Sequence, residues 1–127
     1  MKMARRDIGR LGEKLAQDYL KKKGFDIIDT NYRCPEGEID IVARQDDCLV
    51  FIEVRAKSSP VFGSPEESVT RAKKRRLIAT ARRYRQSHDH LPASWRIDFV
   101  AVELNHKAKP LRIELIENAV TDDWGNF

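Results

Sequence analysis

Two acids stand where acids are rarely placed. Asp40 lies between Ile39 and Ile41, and Glu53 between Ile52 and Val54, each inside a short aliphatic run that reads as a strand. Burying an ionised carboxylate without a partner costs several kcal/mol, so something must compensate. One compensation is structural. Side chains two apart share a strand face, so Glu53 neighbours Arg55 and Glu38 neighbours Asp40. On a solvated face Glu53 and Arg55 would form a surface pair worth ~0–1 kcal/mol. The other is a divalent metal. Two hard oxygen donors from adjacent strands, with water and a substrate phosphate, suit Mg²⁺ or Mn²⁺. A metal there would activate water and stabilise charge on a phosphodiester. On the residues alone both readings stay open.

The second chemical signal is a basic run. Arg71, Lys73, Lys74, Arg75, Arg76, Arg82, Arg83 and Arg85 fall within one segment that holds no acid. Like charges at i,i+4 destabilise a helix by a few tenths of a kcal/mol each, and a polyanion would relieve that repulsion while releasing counterions. The bland alternative is a solvated helix face. Contacts from Arg71, Lys73, Lys74, Arg75 and Arg76 to phosphates would position nucleic acid without reading its sequence.

These residues need elements to hold them. Ile8, Leu11, Leu15, Ala16, Tyr19 and Leu20 recur at helical spacing, with Asp7 as a candidate N-cap and Gly24 as a stop. Gly9 and Gly12 inside that helix cost ~1 kcal/mol each relative to Ala, which suggests a closely packed backbone. Strands are expected over 25–30, 38–43 and 48–55, joined by short turns into an antiparallel meander. A Ser/Pro/Gly-rich loop over 57–65 leads to a long helix from about Pro65 to Ser87, with Ser64 as N-cap. Val69, Ala72, Leu77, Ala79, Ala81 and Tyr84 offer that helix only a thin packing face. Strands over 96–104 and 111–117 follow. The order α-β-β-β-α-β-β predicts an α/β fold, a mixed central sheet of about five strands flanked by two main helices. One domain is expected over 1–120, with 121–127 as a tail.

Composition narrows the class. The chain has 127 residues, 41% of them hydrophobic, enough for one modest core. Charged residues make up 35% and the formal charge is +4, so charge favours an anionic partner only weakly by its sum. The opening Met1–Asp7 stretch lacks the apolar core of a signal peptide, and no apolar run approaches the roughly 18 residues that span a bilayer. No membrane association and a cytoplasmic location are expected. Cys34 and Cys48 read as reduced thiols. A zinc site from them and His88, His90 or His106 has no recognised ligand spacing. Trp95 reads as core or rim rather than a base-stacking platform, and Arg96 and Asp98 as an ion pair on one strand face.

Beyond composition, the chain resembles a known family. Gly9-Arg10-Leu11-Gly12-Glu13, Gly37-Glu38-Ile39-Asp40-Ile41-Val42, Phe51-Ile52-Glu53-Val54-Arg55, Phe62-Gly63-Ser64-Pro65 and Arg96-Ile97-Asp98-Phe99-Val100 stand in the order and at the spacing of the YraN family. Asp40 followed by Glu53-Val54-Arg55 also resembles the PD-(D/E)xK nuclease motif. The resemblance covers roughly residues 5–120 and implies a restriction-endonuclease-like core related to archaeal Holliday-junction resolvases. It implies Asp40, Glu53 and the Val54 carbonyl as ligands of Mg²⁺ or Mn²⁺, with Glu13 as the helical acid completing the site. Arg55 or Lys57 would position water or phosphate. DNA, branched or single-stranded, is the implied substrate, and a homodimer is an arrangement that resolvase-like relatives use.

One departure matters. Arg55 occupies the motif's lysine position, and arginine cannot give up a proton near neutral pH. Family members commonly show Lys then Arg where this chain has Arg55 and then Lys57. A lysine moved by that exchange would sit ~6–7 Å further along the strand. A non-catalytic nucleic-acid-binding module, acting through a repair, replication or cell-division partner, therefore stands beside the nuclease reading.

Overall fold

The computed structural model describes residues 3–58 and 63–121. The first amphipathic run forms helix α1 (Arg5–Lys22). It buries Ala16 and Leu20 completely and packs Ile8, Leu11, Leu15 and Tyr19 partly against one face of the sheet. The helix begins two residues before the expected Asp7. Ala4 is the N-cap, has no side-chain cap, and accepts from the Asp7 and Ile8 N–H groups through its carbonyl, both at 3.0 Å. Asp7 instead lies in the first turn, where its charge suits the helix dipole. Gly24 closes the helix at φ +90, a conformation open to glycine at little cost.

The two helical glycines differ. A Cβ on Gly12 would stand 2.5 Å from the Cβ of Ala56, so this glycine lets α1 lie close on the sheet. A Cβ on Gly9 would meet nothing within 4 Å, and the close packing expected there is absent.

Strands β1 (Asp26–Cys34), β2 (Gly37–Gln45) and β3 (Cys48–Lys57) form the expected antiparallel meander. β1 is longer than expected, running to the Pro35-Glu36 turn, with a register shift between Ile27 and Asp29. β4 (Ser94–Leu104) and β5 (Pro110–Val120) complete one mixed sheet in the order β1-β2-β3-β4-β5. Both exceed their expected spans. β3 and β4 are parallel, so the chain must cross over between them, and the second helix makes that crossing. The α-β-β-β-α-β core with a fifth strand is the architecture anticipated.

That second helix departs from expectation. A 3₁₀ turn (Pro65–Ser68) comes first, Val69 and Thr70 are extended, and α2 (Arg71–Ser87) starts afresh. The break has two causes. Val69 is buried in the core, and Thr70 caps α2 by accepting from the Lys73 N–H at 3.1 Å. Ser64 is the N-cap of the 3₁₀ turn, as expected, but without a side-chain cap bond, its hydroxyl donating to the Glu67 carboxylate.

The core has two halves. On the α1 side, Ile41, Ala43, Val50, Ile52, Val100 and Val102 meet Ala16 and Leu20. On the α2 side, Ile39, Leu49, Phe51, Ile97 and Phe99 meet Leu77, Ile78, Ala81 and Tyr84. Leu77, Ala81 and Tyr84 pack as expected, and Val69 is buried ahead of the helix. Ile78 and Thr80 are buried as well, Ala79 is half-buried, and Ala72 is exposed. Gly37 is needed where β2 passes this helix, since a Cβ would stand 2.9 Å from the Thr80 hydroxyl.

Trp95 packs at the core's edge, 5.8 Å from the Phe51 ring, with the Arg85 guanidinium over its own ring at 5.7 Å. Arg96 and the fully buried Asp98 pair with each other through Nε at 3.1 and 3.0 Å, and Asp98 also accepts from the Asn118 N–H. Cys34 and Cys48 are half-buried free thiols. Among the described residues no helix is long and apolar enough to cross a membrane. Phe62 and, apart from Thr121, the expected tail with Trp124 lie outside the described residues.

Candidate functional site

Strand alternation in β3 sends Val50, Ile52, Val54 and Ala56 toward α1, and Leu49 and Phe51 toward α2. Glu53, Arg55 and Lys57 continue the α2-facing row. The ladder between β2 and β3 ends at Ile41 opposite Ile52. Beyond that point the Val54 N–H donates to Oδ2 of Asp40 at 2.7 Å, a side-chain acceptor where a strand carbonyl would otherwise stand. Ile41 packs on the α1 side and Ile39, two residues earlier, on the α2 side, so β2 loses its alternation around Asp40. The acid sits where the two strands part.

This places the Asp40 and Glu53 carboxyls close enough for each to act on the other's protonation. Glu53 is 3% exposed. Burial, and next the charge of Asp40, push its carboxyl up to about 8, against the pull of Lys73 and Arg55. Burial also raises Asp40, opposed chiefly by the bond from Val54 N–H. Two carboxyls in such a site do not both ionise readily, so burial and the charge of Asp40 favour the protonated form of Glu53.

Cations border the pair from two elements. Lys73 Nζ lies 3.7 Å from Glu53 Oε2, reaching in from the first turn of α2 with its side chain 25% exposed. Arg55 NH1 lies 3.6 Å from the same oxygen. Ser68 fixes that guanidinium by accepting from Nε at 3.1 Å and NH2 at 2.9 Å, while its own hydroxyl donates to the Pro65 carbonyl. The break before α2 thus has a use, since the 3₁₀ turn supplies the anchor for Arg55.

Glu13 approaches from α1. Its Oε1 is buried without a hydrogen-bond partner, the only such side-chain atom among the described residues. Burial raises its pKa most, followed by the charges of Asp40 and Glu38. The close contact of Gly12 with Ala56 brings this helix turn near enough for Glu13 to feel Asp40.

The structure therefore brings Asp40, Glu53, Arg55 and Lys73 together, with Glu13 beside them. Lys57 points along the strand to the loop, donating to the Gly63 carbonyl at 2.8 Å. Val54 enters through its N–H. Among the described residues, no three His, Cys, Asp or Glu side chains converge as a ready metal-ligand set.

The basic run divides. Arg83 forms a two-pronged pair with Glu36 at 2.7 and 3.0 Å, and Arg85 donates to the Pro92 carbonyl, so both serve the fold. Arg71, Arg75 and Arg76 are exposed and Lys74 is half-buried, all close in sequence to Lys73. Sequence reasoning missed Ser68 and the contact of Lys73 with Glu53. The second had a signal. Lys73 stands four and seven residues before the buried Leu77 and Thr80, the spacing of one helix face.

The chain matches the family described as "Uncharacterised protein family UPF0102" over residues 12–102. It is 51% identical over 121 residues to a UPF0102 protein of Dehalococcoides mccartyi, covering 94% of this chain and 97% of that one. A UPF0102 protein of Moorella thermoacetica is 45% identical over 119 residues, covering 94% and 99%. The chain belongs to the UPF0102 (YraN) family. The UPF0102 match takes in Glu13, Asp40, Glu53, Arg55, Lys57 and Lys73. It leaves out the first turns of α1 and all of β5.

Proposed function

We propose that this protein is a Mg²⁺- or Mn²⁺-dependent phosphodiesterase that cuts nucleic acid, with DNA as its substrate. One observation carries the reading: the buried Glu53 and half-buried Asp40 act on each other, bordered by Lys73 and Arg55. A divalent cation fits such a pair, because it would relieve the repulsion between the acids and give the orphaned Glu13 Oε1 a positive neighbour. Asp40, Glu53 and the Val54 carbonyl would hold the ion, with water and a phosphate oxygen completing the shell. When bound, the ion would activate the attacking water and offset charge building on the phosphate.

The protein's own groups divide the remaining work. The Val54 N–H holds Asp40 in place. Arg55 stays charged and, fixed by Ser68, steers a phosphate oxygen. Lys73 has a proton it can exchange, and it reaches Glu53 where Lys57 is drawn toward Gly63. Lys73 therefore takes the proton-handling part that Arg55 cannot. Water attacks phosphorus, one ester P–O bond breaks, and the departing oxygen takes up a proton. Arg71, Lys74, Arg75 and Arg76 hold the backbone on either side, without regard to sequence.

Arg55 also favours a second reading. A guanidinium in the motif's lysine position, tied to Ser68 by two bonds, suits a module that binds nucleic acid without cutting it. The test is incubation with labelled single-stranded, duplex, flap and four-way-junction DNA in Mg²⁺ or Mn²⁺, beside Asp40→Asn and Glu53→Gln. Cleavage lost in both variants supports the phosphodiesterase. Salt-sensitive binding without cleavage in either metal supports the binding module.

A further inference from the structure

A cavity of about 660 Å³ opens beside the acid pair, between the first turns of α1, the end of β3 and the 3₁₀ turn. That volume lies in the range of small-ligand sites. Among the described residues Arg5, Arg55 and Lys57 line it, no acid does, and Ser58, Ser64 and Ser68 add hydroxyls. Ile8, Val54, Ala56 and Pro65 add apolar surface to the lining. A cavity that combines apolar surface with cations and hydroxyls suits a ligand with a flat ring at one end and a phosphate at the other.

Gly9 adds an independent observation. A glycine inside a helix weakens it, and close packing normally explains its presence. Gly12 has that explanation and Gly9 does not, since a Cβ there would meet nothing within 4 Å. Gly9 faces the cavity, where its missing side chain leaves bare backbone toward whatever enters.

Arg55 joins the two places, lining the cavity while its NH1 stands 3.6 Å from Glu53 Oε2. A ligand phosphate on Arg55 would lie next to the acid pair. A base stacked and paired in a duplex cannot enter such a recess, whereas an unstacked base can. We infer that this cavity is a subsite for one unpaired nucleotide of the strand being processed, its base over Gly9 and its phosphate toward Arg5 and Arg55. The inference rests on the phosphodiesterase reading for its biological use, and commits that reading to single-stranded or frayed substrates.

The test compares the wild-type protein with Gly9→Leu and Arg5→Ala. Binding of a labelled single-stranded oligonucleotide and of a blunt duplex is measured by fluorescence anisotropy in EDTA. Leucine favours helix and projects into open space, and circular dichroism with thermal melting verifies the fold. Gly9→Leu should weaken single-strand binding at least tenfold and leave duplex binding and Mn²⁺ uptake within twofold. Arg5→Ala should weaken single-strand binding several-fold. Unchanged single-strand binding in a folded Gly9→Leu protein overturns the subsite. Equal loss for both DNA forms also overturns it, since the cavity would then not discriminate unpaired bases. A deoxynucleoside monophosphate that binds as tightly as the oligonucleotide, and is lost in Gly9→Leu, would overturn the strand assignment in favour of a free nucleotide. Gly9-dependent single-strand binding without cleavage in any metal would uphold the subsite and sink only the phosphodiesterase.

Discussion

Glu53 has neighbours that pull it in opposite directions. Burial and Asp40 favour the protonated form, while Lys73 and Arg55 favour the charged one, and burial wins. The consequence for stability has a definite sign. A carboxyl raised from 4.5 in the unfolded chain to about 8 in the folded one makes the fold bind its proton more tightly. That contribution is present in full below about pH 4.5 and is lost as pH rises through 8. In EDTA, the melting temperature should fall from pH 5 to pH 8.5, and Glu53→Gln should flatten the profile. A wild-type profile equally flat would show that Glu53 is not held in the protonated form. Lys73 makes a second residue-scale prediction. Removing a proton-handling group costs typically ~10²-fold or more in rate. Lys73→Met should lower single-turnover cleavage by about that factor, with oligonucleotide affinity within a few-fold of wild type. Lys73→Arg should fail to restore the rate, because its guanidinium cannot release a proton.

Among the elements, α1 and β3 set the site through one close contact. Gly12→Ala would drive a Cβ into Ala56 and cost about 1–3 kcal/mol, whereas Gly9→Ala, facing open space, should gain up to about 1 kcal/mol. Urea unfolding of the two variants checks that opposition, and equal effects would contradict it. Thr70→Ala should cost about 1 kcal/mol through the lost cap of α2. Much of this level was legible in the sequence. The stripe of Ile8, Leu11, Leu15 and Leu20, the meander and the acids within it all follow from local periodicity and turn residues. The restart of the second helix was not legible, because Ser64-Pro65-Glu66-Glu67 and Thr70 both carry start signals and the burial of Val69 decides between them. The parting of β2 from β3 at Asp40 escaped for another reason. Sequence spacing sets which side chains share a face, but the Asp40 bond to Val54 N–H joins residues fourteen apart across a ladder that has just ended. Glu13 could be tied to the site only by resemblance until the packing of Gly12 on Ala56 was known.

For the whole molecule, one sheet with a helix on each face brings three elements to one end of β3. α1 contributes Glu13, the strands contribute Asp40 and Glu53, and α2 contributes Lys73. The same turns of α2 place Arg75 and Arg76 at the surface, while Arg83 and Arg85 fasten the helix to neighbouring segments. Charge alone would not have separated those roles. Phosphate contacts should make binding fall steeply with salt. Arg75→Ala and Arg76→Ala should each reduce the slope of log affinity against log salt by about 1, for every DNA sequence alike. An unchanged slope in both would move the backbone contacts elsewhere.

A metal-holding Asp40–Glu53 pair and a purely ion-paired one differ in whether Mn²⁺ binds there. Calorimetric titration of Mn²⁺ into wild-type protein and Asp40→Asn separates the two. A metal-holding pair should take up one Mn²⁺ per chain in the wild type, with proton release near neutral pH as the pair ionises, and lose at least tenfold in affinity in folded Asp40→Asn. Equal Mn²⁺ binding by the two proteins, or none by either, would contradict the metal-holding pair and leave the acids as partners of Lys73 and Arg55 alone.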